Sequence, residues 1–289
     1  MKRPSIFRHA PGELSQDAFL AWLLEWADPS LRDAEPALHR AGRDFLESLL
    51  HCAGHPIPAT YESVRVELQL QKIDLLVVVD EKLAVVIEDK VHTAAHGDQL
   101  ERYRIAVQLA LDIPLERTAF VYLKTGDECD TRHVSESGYA YYRRAQLLRV
   151  LEQGLENGVD NNIYTDFTEH IRGMERRVNA WATLPINRWG SHDPLWIGLF
   201  DELQDRLKAG GWGMGVGQQP RRRILRILVG RWGCAGWLGL PAGRLMAQAQ
   251  CSSLDKAGRG QEGDACPMAG EARRARPRNR LSLPASKAA

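Results

Sequence analysis

Length, composition and charge exclude several classes of protein. The chain has 289 residues, 44% of them hydrophobic, and its 38 Lys and Arg balance 37 Asp and Glu to a net charge of +1. It contains neither the apolar run of about 18 residues that a membrane span requires nor the apolar segment of a signal peptide near its N-terminus. We therefore expect a globular, cytoplasmic protein without a membrane partner. Five scattered cysteines without a Cys-x-x-Cys pair indicate neither a disulfide framework nor a zinc ribbon.

Helical periodicity dominates the beginning of the chain. In "ELSQDAFLAWLLEWADP", apolar residues recur at helical spacing from Leu20 to Ala27, Ser15 is placed to cap the helix, and Pro29 ends it. Glu13 and Asp17 belong to the same segment. Their expected roles are capping and solvation, with an additional acidic group at a functional site as the alternative. A second amphipathic helix is predicted from about 36 to 50.

The hydrophobic period then changes to that of strands. Residues 61–70 alternate, and two β-branched runs, 73–79 and 83–87, flank the turn residues 80–82. Further periodic segments predict a helix at about 94–111, a buried strand at 117–124, and helices at about 145–156 and 166–181. A strand, a helix and a second strand in this order form a crossover unit with parallel strands. With helices covering both faces of the sheet, the sequence predicts a three-layer α/β domain with a mixed central sheet.

The hairpin at 73–90 carries charges in an otherwise apolar setting. A three-residue turn pairs Val79 with Leu83, and equal steps outward place Asp74 opposite Glu88, where side chains on one face are neighbours. Lys90 shares the face of Glu88, and the side chain of Asp89 points to the other face. A turn of two or four residues would change this register.

Two carboxylates at a half-buried site require a compensating interaction. One of them is protonated, Lys90 neutralises the pair in a structural ion-pair network, or a divalent cation binds between them. Oxygen ligands without a nearby His or Cys pattern favour Mg²⁺ or Mn²⁺ over softer metals.

An aspartate followed about fourteen residues later by Glu-x-Lys, across a hairpin and before a helix, resembles the PD-(D/E)XK, or restriction-endonuclease-like, nuclease superfamily. The blocks "ELSQDAF", "KIDLLV" and "IEDKVHTAAHGDQLERY", in this order, resemble an uncharacterised bacterial branch of it, over about residues 7–212. The resemblance implies that Asp74 and Glu88 bind the metal, together with the carbonyl oxygen of Asp89. It also implies that Lys90 orients or activates the attacking water. Ile73 stands where the motif has its proline.

The resemblance extends to the following helix and to the reaction. In "DQLERY", Gln99 and Tyr103 match the glutamine and tyrosine that many members add to the site, although an ordinary half-buried helix face explains the same spacing. The implied activity is Mg²⁺- or Mn²⁺-dependent hydrolysis of phosphodiester bonds, with DNA as the expected nucleic-acid partner. The alternative is a non-catalytic nucleic-acid-binding or interaction protein that keeps the fold.

Charge divides the chain into two parts. Residues 1–216 hold 24 Lys and Arg against 33 Asp and Glu, a difference of −9, whereas residues 217–289 hold 14 against 4, a difference of +10. A net negative charge is unfavourable for general affinity to DNA, because phosphate contacts depend on Lys and Arg. We therefore predict a nuclease-like domain at 1–216 and a basic, low-complexity, disordered tail at 217–289.

The basic tail has two interpretations. In "RRRILRILVGR", at 221–231, five arginines in eleven residues are typical of a nucleic-acid-binding arm. Codons compatible with residues 217–231 also read, one nucleotide downstream, as Val-Ser-Asn-Pro-Gly-Gly-Gly-Phe-Tyr-Gly-Phe-Trp-Trp-Gly. That string has a glycine-rich turn followed by an aromatic strand. We therefore favour the hypothesis that a frameshift near 214–217 leaves residues 217–289 out of frame.

Overall fold

The computed structural model of the chain describes residues 4–70, 73–93, 99–128, 131–189, 193–207, 212–216, 222–228, 234–241 and 246–251. The α-helices in these ranges are α1 (Ile6–His9), α2 (Glu13–Glu25), α3 (Pro36–Cys52), α4 (Gln99–Ala110), α5 (Arg132–Glu136), α6 (Arg144–Glu156), α7 (Asn162–Asn179) and α8 (Asp193–Leu207). The strands are β1 (Val64–Leu68), β2 (Leu75–Val79), β3 (Leu83–Lys90), β4 (Thr118–Lys124), β5 (Ala140–Arg143), β6 (Trp212–Val216), β7 (Arg222–Leu228), β8 (Cys234–Pro241) and β9 (Met246–Cys251).

The first five strands form a mixed sheet in the order β1-β2-β3-β4-β5. Strand β2 is antiparallel to both β1 and β3, whereas β3, β4 and β5 run parallel to one another. Helix α4 connects β3 to β4, as the strand–helix–strand pattern predicts. The carboxyl ends of three parallel strands therefore meet at one edge of the sheet, where ligand sites of open α/β sheets commonly lie.

Alternation along the strands divides the core between the two faces of the sheet. Odd-numbered residues of β2 and β3, such as Val77 and Val85, pack with the apolar residues of α2, α3, α6 and α7. Even-numbered residues, such as Val78 and Val86, pack with Leu100 and Val107 of α4. The predicted three-layer α/β fold with a mixed central sheet is confirmed.

The β2–β3 hairpin has the register that the sequence predicts. Val79 pairs with Leu83 and Leu75 pairs with Ile87. Asp80 and Glu81 adopt positive φ angles of 54° and 51°, and the Lys82 amide donates to the Val79 carbonyl oxygen at 2.9 Å. Two hydrogen bonds stabilise the left-handed conformation at Asp80. Its Oδ1 accepts them from the amides of residues 62 and 63 at 2.7 and 2.8 Å.

Several element boundaries differ from the sequence-based expectations. Helix α2 begins two residues before Ser15, and its N-cap residue is Gly12, so the predicted Ser15 cap is wrong. The strand predicted at 61–70 is limited to β1. The predicted start of the next helix, at 94, lies outside the described residues. Helices α1, α5 and α8 and strands β5 and β6 were not predicted.

A second sheet has strands on both sides of the predicted domain boundary at residue 216. Strands β6 to β9 form a four-stranded antiparallel meander in chain order. Strands β7, β8 and β9 fall in the segment 217–289, for which the basic, disordered tail stays a prediction. The reading-frame hypothesis concerns the gene and stays a prediction. None of the helices in the described ranges is long and apolar enough to cross a membrane.

Candidate metal and active site

Three charged side chains meet where β2 begins and β3 ends. Nζ of Lys90 lies 2.6 Å from Oε1 of Glu88 and 3.2 Å from Oδ2 of Asp74. This contact follows from the hairpin, because the pair Leu75 and Ile87 makes Asp74 and Glu88 the next opposed positions. The structure thus brings together the three residues of the Asp…Glu-x-Lys motif on the face of the sheet that packs against α4.

The main chain of Asp89 takes part in the same cluster. Its amide donates to Oδ2 of Asp74 at 2.9 Å, and its carbonyl oxygen accepts from Nζ of Lys90 at 2.9 Å. The Asp89 carbonyl and the carboxylates of Asp74 and Glu88 therefore surround one cationic point. These are the three groups that the sequence resemblance suggests as metal ligands.

Glu88 and Lys90 are largely buried members of this cluster, and burial acts on the pKa of each. The side chain of Glu88 is only 1% exposed, and its second oxygen, Oε2, has no hydrogen-bond partner among the residues that the structure describes. Burial, followed by the negative charge of Asp74, raises the pKa of Glu88 to about 7 despite the nearby ammonium. For Lys90, burial acts to lower the pKa, but the charges of Glu88 and Asp74 outweigh it and raise the pKa above its ordinary value.

Helix α4 contributes the two polar residues that the sequence indicated. Nε2 of Gln99 donates to Oε1 of Glu88 at 2.7 Å and to the hydroxyl oxygen of Tyr103 at 2.9 Å. One residue of the first turn of α4 thereby fixes the orientation of the Glu88 carboxylate and the position of the Tyr103 hydroxyl. The bond to Glu88 favours a role at the site over an ordinary half-buried helix face, and that role stays a prediction.

On the other face of the sheet, α2 supplies polar residues that sequence reasoning assigned differently or missed. Oε1 of Glu13 accepts from the amide of Val91 at 3.1 Å and from the hydroxyl of Thr93 at 2.7 Å. Asp17 is buried rather than solvated, with 5% exposure. Burial, followed by the charge of Asp74, raises its pKa to about 6. The expectation of capping and solvation is therefore wrong for Asp17.

Gln16 was not among the predicted site residues. Its Nε2 donates to Oδ1 of Asp89 at 2.5 Å, and its Oε1 accepts from the hydroxyl of Thr125 at 2.7 Å. Burial, followed by the charge of Asp17, raises the pKa of the Asp89 side chain well above its ordinary value. The available signal was the spacing of Glu13, Gln16 and Asp17, which places three polar residues on one face of a helix.

The donor set fits a hard divalent cation. The ranges that the structure describes contain no group of three or more His, Cys, Asp and Glu placed to hold a metal ion. The cluster instead offers two carboxylates and one carbonyl, and Mg²⁺ is commonly held by one or two carboxylates with waters and substrate phosphate completing its shell. Oε2 of Glu88 is buried and lacks a hydrogen-bond partner in the described part of the chain, and such a cation would satisfy it.

Comparison with known proteins agrees with this geometry. A family model of the PD-(D/E)XK nuclease superfamily matches residues 6–186. No curated protein and no solved structure matches the chain significantly. The matched residues include α2, the β2–β3 hairpin and α4, which together form the site, and they cover more than half of the chain. The chain therefore belongs to the PD-(D/E)XK nuclease superfamily.

Proposed function

We propose that this protein is a nuclease that hydrolyses phosphodiester bonds of DNA with the help of Mg²⁺ or Mn²⁺. One observation carries the proposal: the oxygens of Asp74, Glu88 and Asp89 converge on a single point that is occupied by the Lys90 ammonium. Oxygen ligands gathered around one positive centre are what a hard divalent cation requires. Membership of a nuclease superfamily supports the same reaction.

Each residue has a distinct role in this proposal. Asp74, Glu88 and the Asp89 carbonyl oxygen would hold the cation, which when bound supplies Lewis-acid polarisation of the phosphoryl group and lowers the pKa of a coordinated water. Lys90 would hold a water molecule in line with the phosphorus atom and offset negative charge that develops during attack. Gln99 would keep the Glu88 carboxylate oriented toward the cation through its 2.7 Å hydrogen bond.

A second candidate function is nucleic-acid or protein binding without catalysis. The net charge of −9 over residues 1–216 favours it, because most phosphate contacts come from Lys and Arg. The presence of Asp74, Glu88 and Lys90 in contact favours the enzyme, because a non-catalytic member of the superfamily would be expected to lose these residues first.

Cleavage assays decide between the two candidates. The purified chain is incubated with supercoiled, linear and single-stranded DNA and with single-stranded RNA, in Mg²⁺, Mn²⁺ or EDTA. We expect metal-dependent cleavage of DNA that Lys90→Ala and Glu88→Ala abolish. Lys82→Ala is the matched control, because Lys82 is exposed in the turn of the same hairpin. Cleavage that survives both site variants would overturn the assignment, and binding without cleavage by the parent chain would favour the second candidate.

A further inference from the structure

A chain of buried hydrogen bonds contacts the β2–β3 hairpin on the α2 side of the sheet, opposite the candidate metal site. The side chain of Asp89 points away from Glu88, toward α2, where Gln16 holds Oδ1 at 2.5 Å. Gln16 is held in turn by the hydroxyl of Thr125 at 2.7 Å. All three side chains are nearly inaccessible, with residue exposures of 1% for Asp89, 4% for Gln16 and 0% for Thr125.

Thr125 is itself fixed by its main chain. Its amide donates to the carbonyl oxygen of Lys90 at 3.1 Å, which extends the β3–β4 pairing past the last residue of β4. Its carbonyl oxygen accepts from Nη1 of Arg144 at 2.6 Å. The backbone is also closely packed here, since a Cβ atom at Gly126 would lie 1.7 Å from the Val91 carbonyl oxygen. The Thr125 hydroxyl is therefore a rigid anchor for Gln16.

The amide and the carbonyl oxygen of Asp89 make their contacts at the candidate metal site, away from the side chain and α2. The amide orients Asp74, and the carbonyl oxygen lies among the candidate metal ligands. A rotation of the Asp89 backbone would displace the carbonyl oxygen and release Asp74 together. The β3–β4 pairing restrains this part of the backbone, and the Asp89 side chain adds a restraint from the α2 side without occupying the site.

We propose that Gln16 and Thr125 are positioning residues, which set the orientation of the Asp89 peptide groups and thereby the affinity of the site for its divalent cation. This inference rests on the proposed function, because it places a cation at Asp74, Glu88 and the Asp89 carbonyl oxygen. Neither residue contacts that cation. Residues that orient metal ligands typically change metal affinity or activity by about 10- to 100-fold when they are replaced.

The test measures Mn²⁺ affinity by calorimetry on the full chain without nucleic acid. Thr125→Val and Gln16→Met remove the hydrogen bonds with little change in side-chain size, and each should weaken Mn²⁺ binding by about 10-fold or more. Thr125→Ser keeps the hydroxyl and should retain the affinity of the parent chain. Thr168→Val is the matched control, because Thr168 is also 0% exposed and donates to a main-chain oxygen, that of Tyr164, at 2.8 Å.

Thermal unfolding of the metal-free variants separates positioning from folding. We expect Thr125→Val and Thr168→Val to lose similar stability, while only Thr125→Val loses Mn²⁺ affinity. The inference is overturned if Thr125→Val and Gln16→Met bind Mn²⁺ like the parent chain, or if Thr168→Val weakens binding equally. Failure of the proposed function has a different signature: the parent chain does not bind Mn²⁺, or Glu88→Ala leaves its binding unchanged, and then both proposals fall.

Discussion

Nζ of Lys90 lies 2.6 Å from Oε1 of Glu88, and this ion pair is almost entirely buried, with side-chain exposures of 10% and 1%. The ammonium also contacts Asp74 and the Asp89 carbonyl oxygen. Lys90 is therefore the counter-ion of the groups that we propose as metal ligands. Because a lysine ammonium and a divalent cation carry charge of the same sign, the two compete for the same oxygens.

Removal of the Lys90 charge should separate metal binding from catalysis. Lys90→Met keeps the aliphatic stem and deletes the ammonium, so Mn²⁺ should bind at least as tightly as to the parent chain while cleavage of DNA is lost. Without metal, the variant should be destabilised, because two carboxylates then face each other without a counter-ion. Calorimetry, thermal unfolding with and without Mn²⁺, and a cleavage assay measure the three effects. Weaker Mn²⁺ binding by Lys90→Met would contradict competition for these oxygens.

The pKa of Glu88 predicts a pH dependence of stability in the metal-free protein. Burial and the charge of Asp74 raise this pKa from its ordinary value of 4.5 to about 7. The protonated form is therefore favoured in the folded state. The stability that protonated Glu88 contributes to the folded state is fully present below pH 4.5 and is lost as the pH rises through about 7. The loss corresponds to on the order of 3 kcal/mol for one such carboxyl group.

Urea unfolding of the parent chain and Glu88→Gln at several pH values isolates this contribution. The amide does not titrate, so the stability of the parent relative to the variant should decrease between pH 4.5 and about 7. Mn²⁺ affinity of the parent should increase over the same interval, because binding requires the ionised carboxylate. Parallel stability profiles for the two proteins would show that Glu88 does not titrate in this range.

Local patterns explain which parts of the site the sequence could predict. The contact among Asp74, Glu88 and Lys90 depends on one hairpin, whose turn length and alternation fix the register. The contact of Gln16 with Thr125 joins residues 109 positions apart, and no periodicity reports how α2 packs on the sheet. Asp17 was expected in solvent because buried carboxylates are uncommon. Strand β5 was missed because four residues are too few for a hydrophobic period.

The hydrogen bond from Gln99 to Glu88 predicts unequal effects for the two polar residues of α4. Gln99→Met removes a donor to Oε1 of Glu88 and should lower the cleavage rate by about 10- to 100-fold. Tyr103→Phe leaves the 2.7 Å bond between Gln99 and Glu88 intact and should have a much smaller effect. Gln108→Met is the matched control on an exposed part of the same helix. Equal losses for Gln99→Met and Gln108→Met would favour an ordinary helix face.

The reading-frame hypothesis is tested by the nucleotide sequence of the gene. When the codons of residues 217–231 are read with a shift of one nucleotide downstream, we expect them to encode the aromatic Gly-Phe-Trp-Trp string. We also expect no stop codon in that frame within the next few codons. This result would mean that strands β7, β8 and β9 are built from out-of-frame residues. A stop codon within a few codons, or absence of the aromatic string, would replace this hypothesis with the basic arm formed by the five arginines at 221–231.

Arg144 provides a test of the buried network at the carboxyl edge of the sheet. Its guanidinium donates to Oε2 of Glu175 at 2.7 Å, to Oδ1 of Asp127 at 2.8 Å and to the Thr125 carbonyl oxygen at 2.6 Å. The side chain of Arg144 is only 8% exposed. The side chains of Asp127 and Glu175 are 21% and 24% exposed, so removal of Arg144 leaves two partly solvated carboxylates. Hydrogen bonds to charged groups typically contribute about 1.5 to 3 kcal/mol.

Arg144→Met should therefore lower the free energy of unfolding by about 1.5 to 3 kcal/mol in urea titrations. Arg172→Met is the matched control, because Arg172 also pairs with two carboxylates, those of Glu152 and Glu169, but its side chain is 26% exposed. Solvent-screened pairs contribute about 0 to 1 kcal/mol, so the control should change stability little. A loss for Arg144→Met no larger than that for Arg172→Met would mean that the Arg144 network adds no more stability than a solvent-screened pair.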